Sequence, residues 1–270
     1  MSLIAFIRER TKHKRTDTAI FILATIFFLG SGIYFLCIEQ TRNALLSLFF
    51  IVIPPVVLIA EKYFRITFPT AFLIVFFLIP TGCILGSCYD VYSSVPCFDT
   101  VLHTISGFIF ACLGFGLFAK LTGNPDKEKS FWSCFIFGFV FSMAVAALWE
   151  LFEYACTLFG IADMQEDTIV NGFMSYLLSG THNSGMVVED ITQTIIIFGD
   201  GQTVTIDGYL DIGLIDTIVD IFVCFVGAVV YCVVIGITWF RCKKLSKQFL
   251  PAVREEKKAI ITDQCSETSR

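Results

Sequence analysis

Charge is scarce in this chain. Only 16% of its residues are Asp, Glu, Lys or Arg, against about 25% in ordinary soluble domains. Cations are scarcest over residues 160–212, which contain no lysine or arginine. There is no P-loop, no GxGxxG, no HExxH and no CxxC, so the phosphate-cradling loops and the helical zinc-protease motif are excluded. No basic face of the kind that tracks a phosphate backbone is present, which excludes nucleic acid as a partner.

Apolar surface takes the place of charge. Of 270 residues 56% are hydrophobic, 30 are phenylalanine, and the mean hydropathy is +0.76. Several apolar runs approach 20 residues, about the length needed to cross roughly 30 Å of hydrocarbon. The fold class expected is an all-α membrane protein, a bundle of six transmembrane helices. The spans fall at about 18–38, 43–60, 67–86, 100–120, 131–158 and 214–240. The first is too long for a signal-peptide core and lacks a small-x-small cleavage site, so it reads as an uncleaved span. Pro54-Pro55 should kink the second span, and Gly82-Cys-Ile-Leu-Gly86 should let two helices approach closely.

Three segments are expected in all: a basic cytoplasmic N-terminus (1–17), a six-span membrane domain (18–240) and a cytoplasmic tail (241–270), charged, then polar and partly disordered. The lysine and arginine pattern sets the orientation. Eighteen of the 19 basic residues sit at the N-terminus, around Lys62 and Arg65, around Lys120, Lys127 and Lys129, or in the tail. Six spans put all four groups on one side, leaving Arg42 alone on the other. Basic loops stay inside, so the expected location is the cell membrane, multi-pass, with both termini cytoplasmic and the lipid bilayer as partner.

Residues 160–212 form an external loop too long for a simple connection. Gln193–Phe198, a glycine-rich turn at 199–202 and Thr203–Ile206 read as a β-hairpin. The loop is either a lid over the outer helix ends or a solvated connection. Of eleven cysteines, Cys37, Cys112, Cys134, Cys156, Cys224 and Cys232 lie singly in apolar runs and read as small apolar side chains. A Cys88–Cys97 bridge is left open. Trp149 and Trp239 read as interfacial anchors, and His182 as a loop residue.

The candidate site comes from depth. A helix rises about 1.5 Å per residue, so about 20 residues cross the core. From Lys120 back to His103 is 17 residues, and to Asp99 it is 21. From Lys129 forward to Glu150 is 21, and to Glu153 it is 24. From Arg241 back to Asp220 is 21, and to Asp216 it is 25. Three helices thus bring acids to one outer level. Asp99/His103 and Asp216/Asp220 are i,i+4 pairs and Glu150/Glu153 are i,i+3, so each pair shares a helix face. Ser106, Gly107 and Gly114, then Ala146 and Ala147, then Cys224, Gly227 and Ala228 continue those faces inward, and small residues mark helix contacts in membranes. The outer side holds 15 acids against Arg42, His103 and His182. Lysines and arginines cannot compensate them, so either carboxylates keep protons or a cation sits among them.

The metal-ligand candidates are therefore Asp99, His103, Glu150, Glu153, Asp216 and Asp220, and the catalytic candidates Glu150, Glu153 and His103. Such donors suit a divalent metal ion of unassigned identity. Asp163, Glu166, Asp167 and Asn171 either extend the site or begin a solvated stretch, and the solvated reading is preferred. Ser106 reads as packing.

At these residues the sequence resembles the YjdF-like bacterial inner-membrane proteins and, more distantly, the VanZ-like membrane proteins. The matching motifs are Asp99-x-x-x-His103 followed by Gly107-Phe108, the pair Glu150 and Glu153, and Asp216-x-x-x-Asp220 ending in Gly227-Ala228. Cys224 stands where those families often carry Asn, Glu153 where VanZ-like chains often carry Gln, and loop 160–212 is longer than a VanZ-like connection. The resemblance covers about 99–228. It implies a cell-envelope setting and no particular reaction.

Three functions stay open: a membrane enzyme acting on an envelope lipid or lipid-linked substrate, a proton- or metal-ion transporter, and a structural or regulatory protein. The inner halves of the acidic helices are apolar or small, and no inverted repeat is visible, which disfavours the transporter.

Overall fold

A computed structural model describes residues 2–122, 128–160, 163–241 and 252–253. Helix α1 (Leu3–His13) precedes the first span, α2 (Arg15–Cys37). The second span is broken into α3 (Thr41–Phe49), a 3-10 turn (Phe50–Val52) and α4 (Ile53–Tyr63). The break follows from Pro54 and Pro55 at the start of α4, where their missing N–H groups leave no helix bond unmade. Strand β1 (Ile66–Thr67) leads to α5 (Thr70–Cys88), short α6 (Val91–Ser94), α7 (Phe98–Thr122) and α8 (Glu128–Leu158). After the long loop comes α10 (Leu214–Arg241), with α9 (Tyr176–Ser179) inside the loop. Six helical segments are long and apolar enough to cross a membrane, within a few residues of the expected spans. The tail lies outside the described residues except for Arg241 and strand β8 (Ala252–Val253), which pairs with β1.

Helix α7 is the centre of the bundle, packed most extensively against α8 and α10. The contacts rest on missing side chains. A Cβ on Gly107 would lie 2.0 Å from the Cys224 carbonyl oxygen, and one on Gly227 2.0 Å from that of Thr104. The α7 and α10 backbones therefore touch reciprocally. Gly114 faces Gly138 and Phe141 of α8 in the same way. The buried Ser142 hydroxyl of α8 donates to the Gly107 carbonyl at 2.7 Å. Gly82 meets Leu102 of α7, the close approach expected, whereas Gly86 accommodates the Tyr92 ring. Cys224, Ala228 and Ala146 are buried as expected, but Ala147 is exposed. Trp239 is no anchor: it is buried, with its ring 5.8 Å from Phe115 and 5.2 Å from Phe131. Cys88 and Cys97 are both free.

The long loop holds three antiparallel pairs: β2 (Thr168–Val170) with β7 (Tyr209–Asp211), β3 (Phe173–Ser175) with β4 (Met186–Val188), and β5 (Thr194–Ile197) with β6 (Thr203–Ile206). The last is the expected hairpin, turned at Gly201 with φ +84°, a left-handed value that glycine adopts without strain. The β2–β7 pair closes the loop at its base.

The basic end carries a feature that the sequence reading passed over. Arg10 of α1 reaches into the bundle, where its Nε donates to Glu61 Oε2 at 2.6 Å and its Nη2 stands 3.5 Å from Asp17 Oδ2. Lys14 Nζ adds a 3.0 Å ion pair to Asp17, and the Thr70 hydroxyl donates to Asp17. Glu61 also accepts the Phe68 N–H at 3.1 Å, and the Arg10 guanidinium lies over the Phe21 ring. Arg10, Asp17 and Glu61 are all buried. A buried charge is tolerated only when paired and hydrogen-bonded, and here each one is.

Candidate functional site

Asp99 and His103 occupy the first turns of α7, Asp216 and Asp220 those of α10, and Glu150 and Glu153 the far end of α8. Because the Gly107–Gly227 contact lies one turn below His103 and two below Asp220, the two helices hold their polar turns side by side. His103 is the hub. Its Nε2 lies 3.6 Å from Asp99 Oδ2 and 3.8 Å from Asp220 Oδ2, and its Nδ1 lies 3.7 Å from Glu150 Oε1. These gaps exceed hydrogen-bond length. Cys224 Sγ donates to the His103 carbonyl at 3.2 Å and stands 3.8 Å from Nδ1.

The ligand atoms of His103, Glu150, Glu153 and Asp220 all lie within 4.8 Å of one another, as do those of Asp99, Asp216 and Asp220. Asp220 belongs to both groups. All six residues expected at the site are therefore brought together. His103, Glu150, Glu153 and Asp220 are buried, while Asp99 and Asp216 are half-buried. Both carboxylate oxygens of Glu150 are shielded from solvent and make no hydrogen bond of ordinary geometry, although the Thr217 hydroxyl stands beside that carboxylate.

The acids form part of the wall of a cavity of about 670 Å³. Asp99, His103, Glu153 and Asp216 line it, whereas the buried Glu150 and Asp220 do not. Tyr92 and Gln165, which the sequence does not single out, complete the site together with Asp163, Glu166 and Asp167, which line the cavity although the sequence favours a solvated reading for them. Tyr92 lies against Asp99, and burial above all, then the nearby Cys83 and Asp99 charges, pushes its phenol up, so it stays a hydrogen-bond donor. Gln165 is buried and its Nε2 donates to Thr217 Oγ1 at 2.7 Å. The Glu166 N–H donates to Asp216 Oδ2 at 3.0 Å. Burial, and then Asp99, also pushes the Glu166 carboxyl up. The single signal in the sequence was the proximity of 163–167 to the glutamate helix. These stem residues, not the hairpin, border the cavity; Asn171 instead gives its carbonyl to the Ile191 N–H. His182 is an exposed loop residue beside Tyr176. Ser106 is half-buried and lines the cavity.

No curated protein and no solved structure matches the chain. The model of one family, described as a predicted membrane protein (DUF2238), matches residues 17–241, from the start of the first span to the end of the last. With six helices of membrane-crossing length over that same range, the chain belongs to the DUF2238 family of membrane proteins.

Proposed function

We propose that the acidic end of the bundle binds a divalent cation and uses it on an envelope lipid or lipid-linked substrate at the outer face of the membrane. The observation that carries this reading is Glu150, buried with both oxygens unpartnered among three other ligand-bearing side chains within 4.8 Å. An unpaired buried carboxylate is costly, and a cation shared with His103 and Asp220 would remove that cost. Oxygen donors with one imidazole suit a hard or borderline divalent ion.

The cavity divides the roles. Glu150 and Asp220, which do not line it, would hold the cation with His103. Glu153 faces the cavity and is the general base. A cation held there would supply Lewis-acid activation of a water, and Glu153 would take that water's proton as it attacks the electrophilic centre of the substrate. As the bond to the leaving oxygen breaks, Glu153 would return the proton to that oxygen. Asp99 and Asp216 complete the negative field on the cavity side.

Metal analysis of purified protein tests the reading. Divalent metal should co-purify with the wild type or load from solution, and Glu150→Gln and Asp220→Asn should each lose it. Metal at about a hundredfold its dissociation constant stabilises by about 2.7 kcal/mol, and that gain should vanish in both variants. A wild type that takes up no divalent metal, with thermal stability indifferent to chelator, would overturn the proposal.

The orientation rests on the basic residues gathered at the other end. Cys97 is exposed at the acidic end, just before α7. In a Cys37→Ser background, since Cys37 is exposed at the same end, a membrane-impermeant maleimide should label Cys97 in intact cells, and Cys97→Ser should remove that signal. Labelling of Cys97 only after permeabilisation would reverse the orientation.

A further inference from the structure

We infer that the cavity takes a single-chain lipid with a phosphate head, its head held between Arg42 and the acidic cluster and its chain in the groove between the broken second span and α5. This rests on the cation reading above, because carboxylates without a cation would repel a phosphate.

Two features of the cavity point to this occupant. The first is Arg42. It is the sole lysine or arginine on the acid-rich side of the spans, and it lines the same cavity as Asp99, His103, Glu153 and Asp216. Among the described residues it forms no ion pair with those acids. Its one hydrogen bond goes to the Asp163 carbonyl at 3.4 Å, and the side chain is exposed. A guanidinium has five donors in a planar fork that matches phosphate, and here nearly all of them remain unused.

The second feature is the wall below Arg42. Leu46, Phe50 and Ile53 line the cavity on one side, and Phe76, Ile79 and Pro80 on the other. From Arg42 to Ile53 is eleven residues, about 16 Å at helical rise. The break before Pro54 lies at the foot of this wall, and Pro80 removes a backbone bond on the facing helix. A cavity lined by Arg42 and acidic groups at one level and by apolar side chains further along the same helices fits an amphiphile. A volume of about 670 Å³ lies in the range of single small-molecule sites and suits one chain rather than two. The cation and Arg42 together present positive charge from two sides, which selects an anionic head over a neutral or cationic one.

Binding of dodecyl phosphate to the metal-loaded full-length protein in a nonionic detergent, read by Trp149 fluorescence, tests the inference, since Trp149 also lines the cavity. Dodecyl phosphate should bind at least about tenfold tighter than dodecanol or dodecyltrimethylammonium. Arg42→Ala should weaken it by about tenfold or more while leaving metal content unchanged, with Arg42→Lys in between. Ile79→Trp, which fills the groove, should weaken all three chains alike. Metal-loaded wild type that does not prefer dodecyl phosphate, or an Arg42→Ala protein that binds it equally well, would overturn this inference and leave the cation site standing. A wild type that holds no metal would instead overturn the cation site, a result read independently from the metal analysis.

Discussion

Arg10→Met should destabilise the protein by about 3–5 kcal/mol, the cost of leaving a buried charge without its partner. The change removes the 2.6 Å bond to Glu61 and the ion pair to Asp17. Asp17 keeps Lys14 and the Thr70 hydroxyl, but Glu61, with 0% exposure, loses its guanidinium partner and keeps the Phe68 N–H. The methionine replaces the stem packing over Phe21, so the loss reports charge rather than volume. Arg10→Met combined with Glu61→Leu should recover most of the stability, because removing both charges leaves neither stranded. Equilibrium unfolding of the two single variants and the double variant in mixed detergent measures this. An Arg10→Met protein within about 1 kcal/mol of wild type, or strictly additive effects, would show that the network does not pin α1 to the bundle.

A second large effect is expected at the helix crossing beneath the acids. Gly107→Ala puts a methyl 2.0 Å from the Cys224 carbonyl oxygen and 2.7 Å from its carbon. Both are backbone atoms, so the helices must separate rather than a side chain turn aside. Overpacking of this kind costs about 1–3 kcal/mol. It should also widen the 3.8 Å gap between His103 and Asp220 that lies above the crossing. Metal affinity should then fall by on the order of 10–100-fold, as when the support of a ligand is removed. Gly236→Ala on α10, the helix that Gly107 packs against, is the control, since an added Cβ there meets nothing within 4 Å. If Gly107→Ala binds metal as tightly as Gly236→Ala, the glycine contact does not set the geometry of the site.

The two variants act at opposite ends of the bundle, and their partners were not equally legible. The acids could be placed by counting, because depth along a helix depends only on residue number and rise. Glu150 and Glu153 sit about as far from Lys129 as Asp220 does from Arg241, whatever surrounds them. The pairing of small and polar residues on one face was equally local, which is why Gly107, Gly227 and the six site residues were found together. Arg10 and Glu61 lie 51 positions apart. No periodicity links them, and Arg10 looked like one more basic residue in a basic N-terminus. Gln165 and Tyr92 were missed for the same reason, since each reaches the site from a connection and not from a span.

The chain's own composition determined the membrane class, the six spans, the level of the acids and the β5–β6 hairpin, because hydropathy, helical rise and turn residues act over a few neighbouring positions. Only the tertiary structure decided which faces meet. It set Trp239 in the interior, left Ala147 exposed, kept Glu150 out of the cavity lining and Glu153 in it, and drew Arg10 into contact with Glu61. Those outcomes depend on the rotation of each helix about its axis and on contacts between distant segments, which close packing selects and local pattern does not encode.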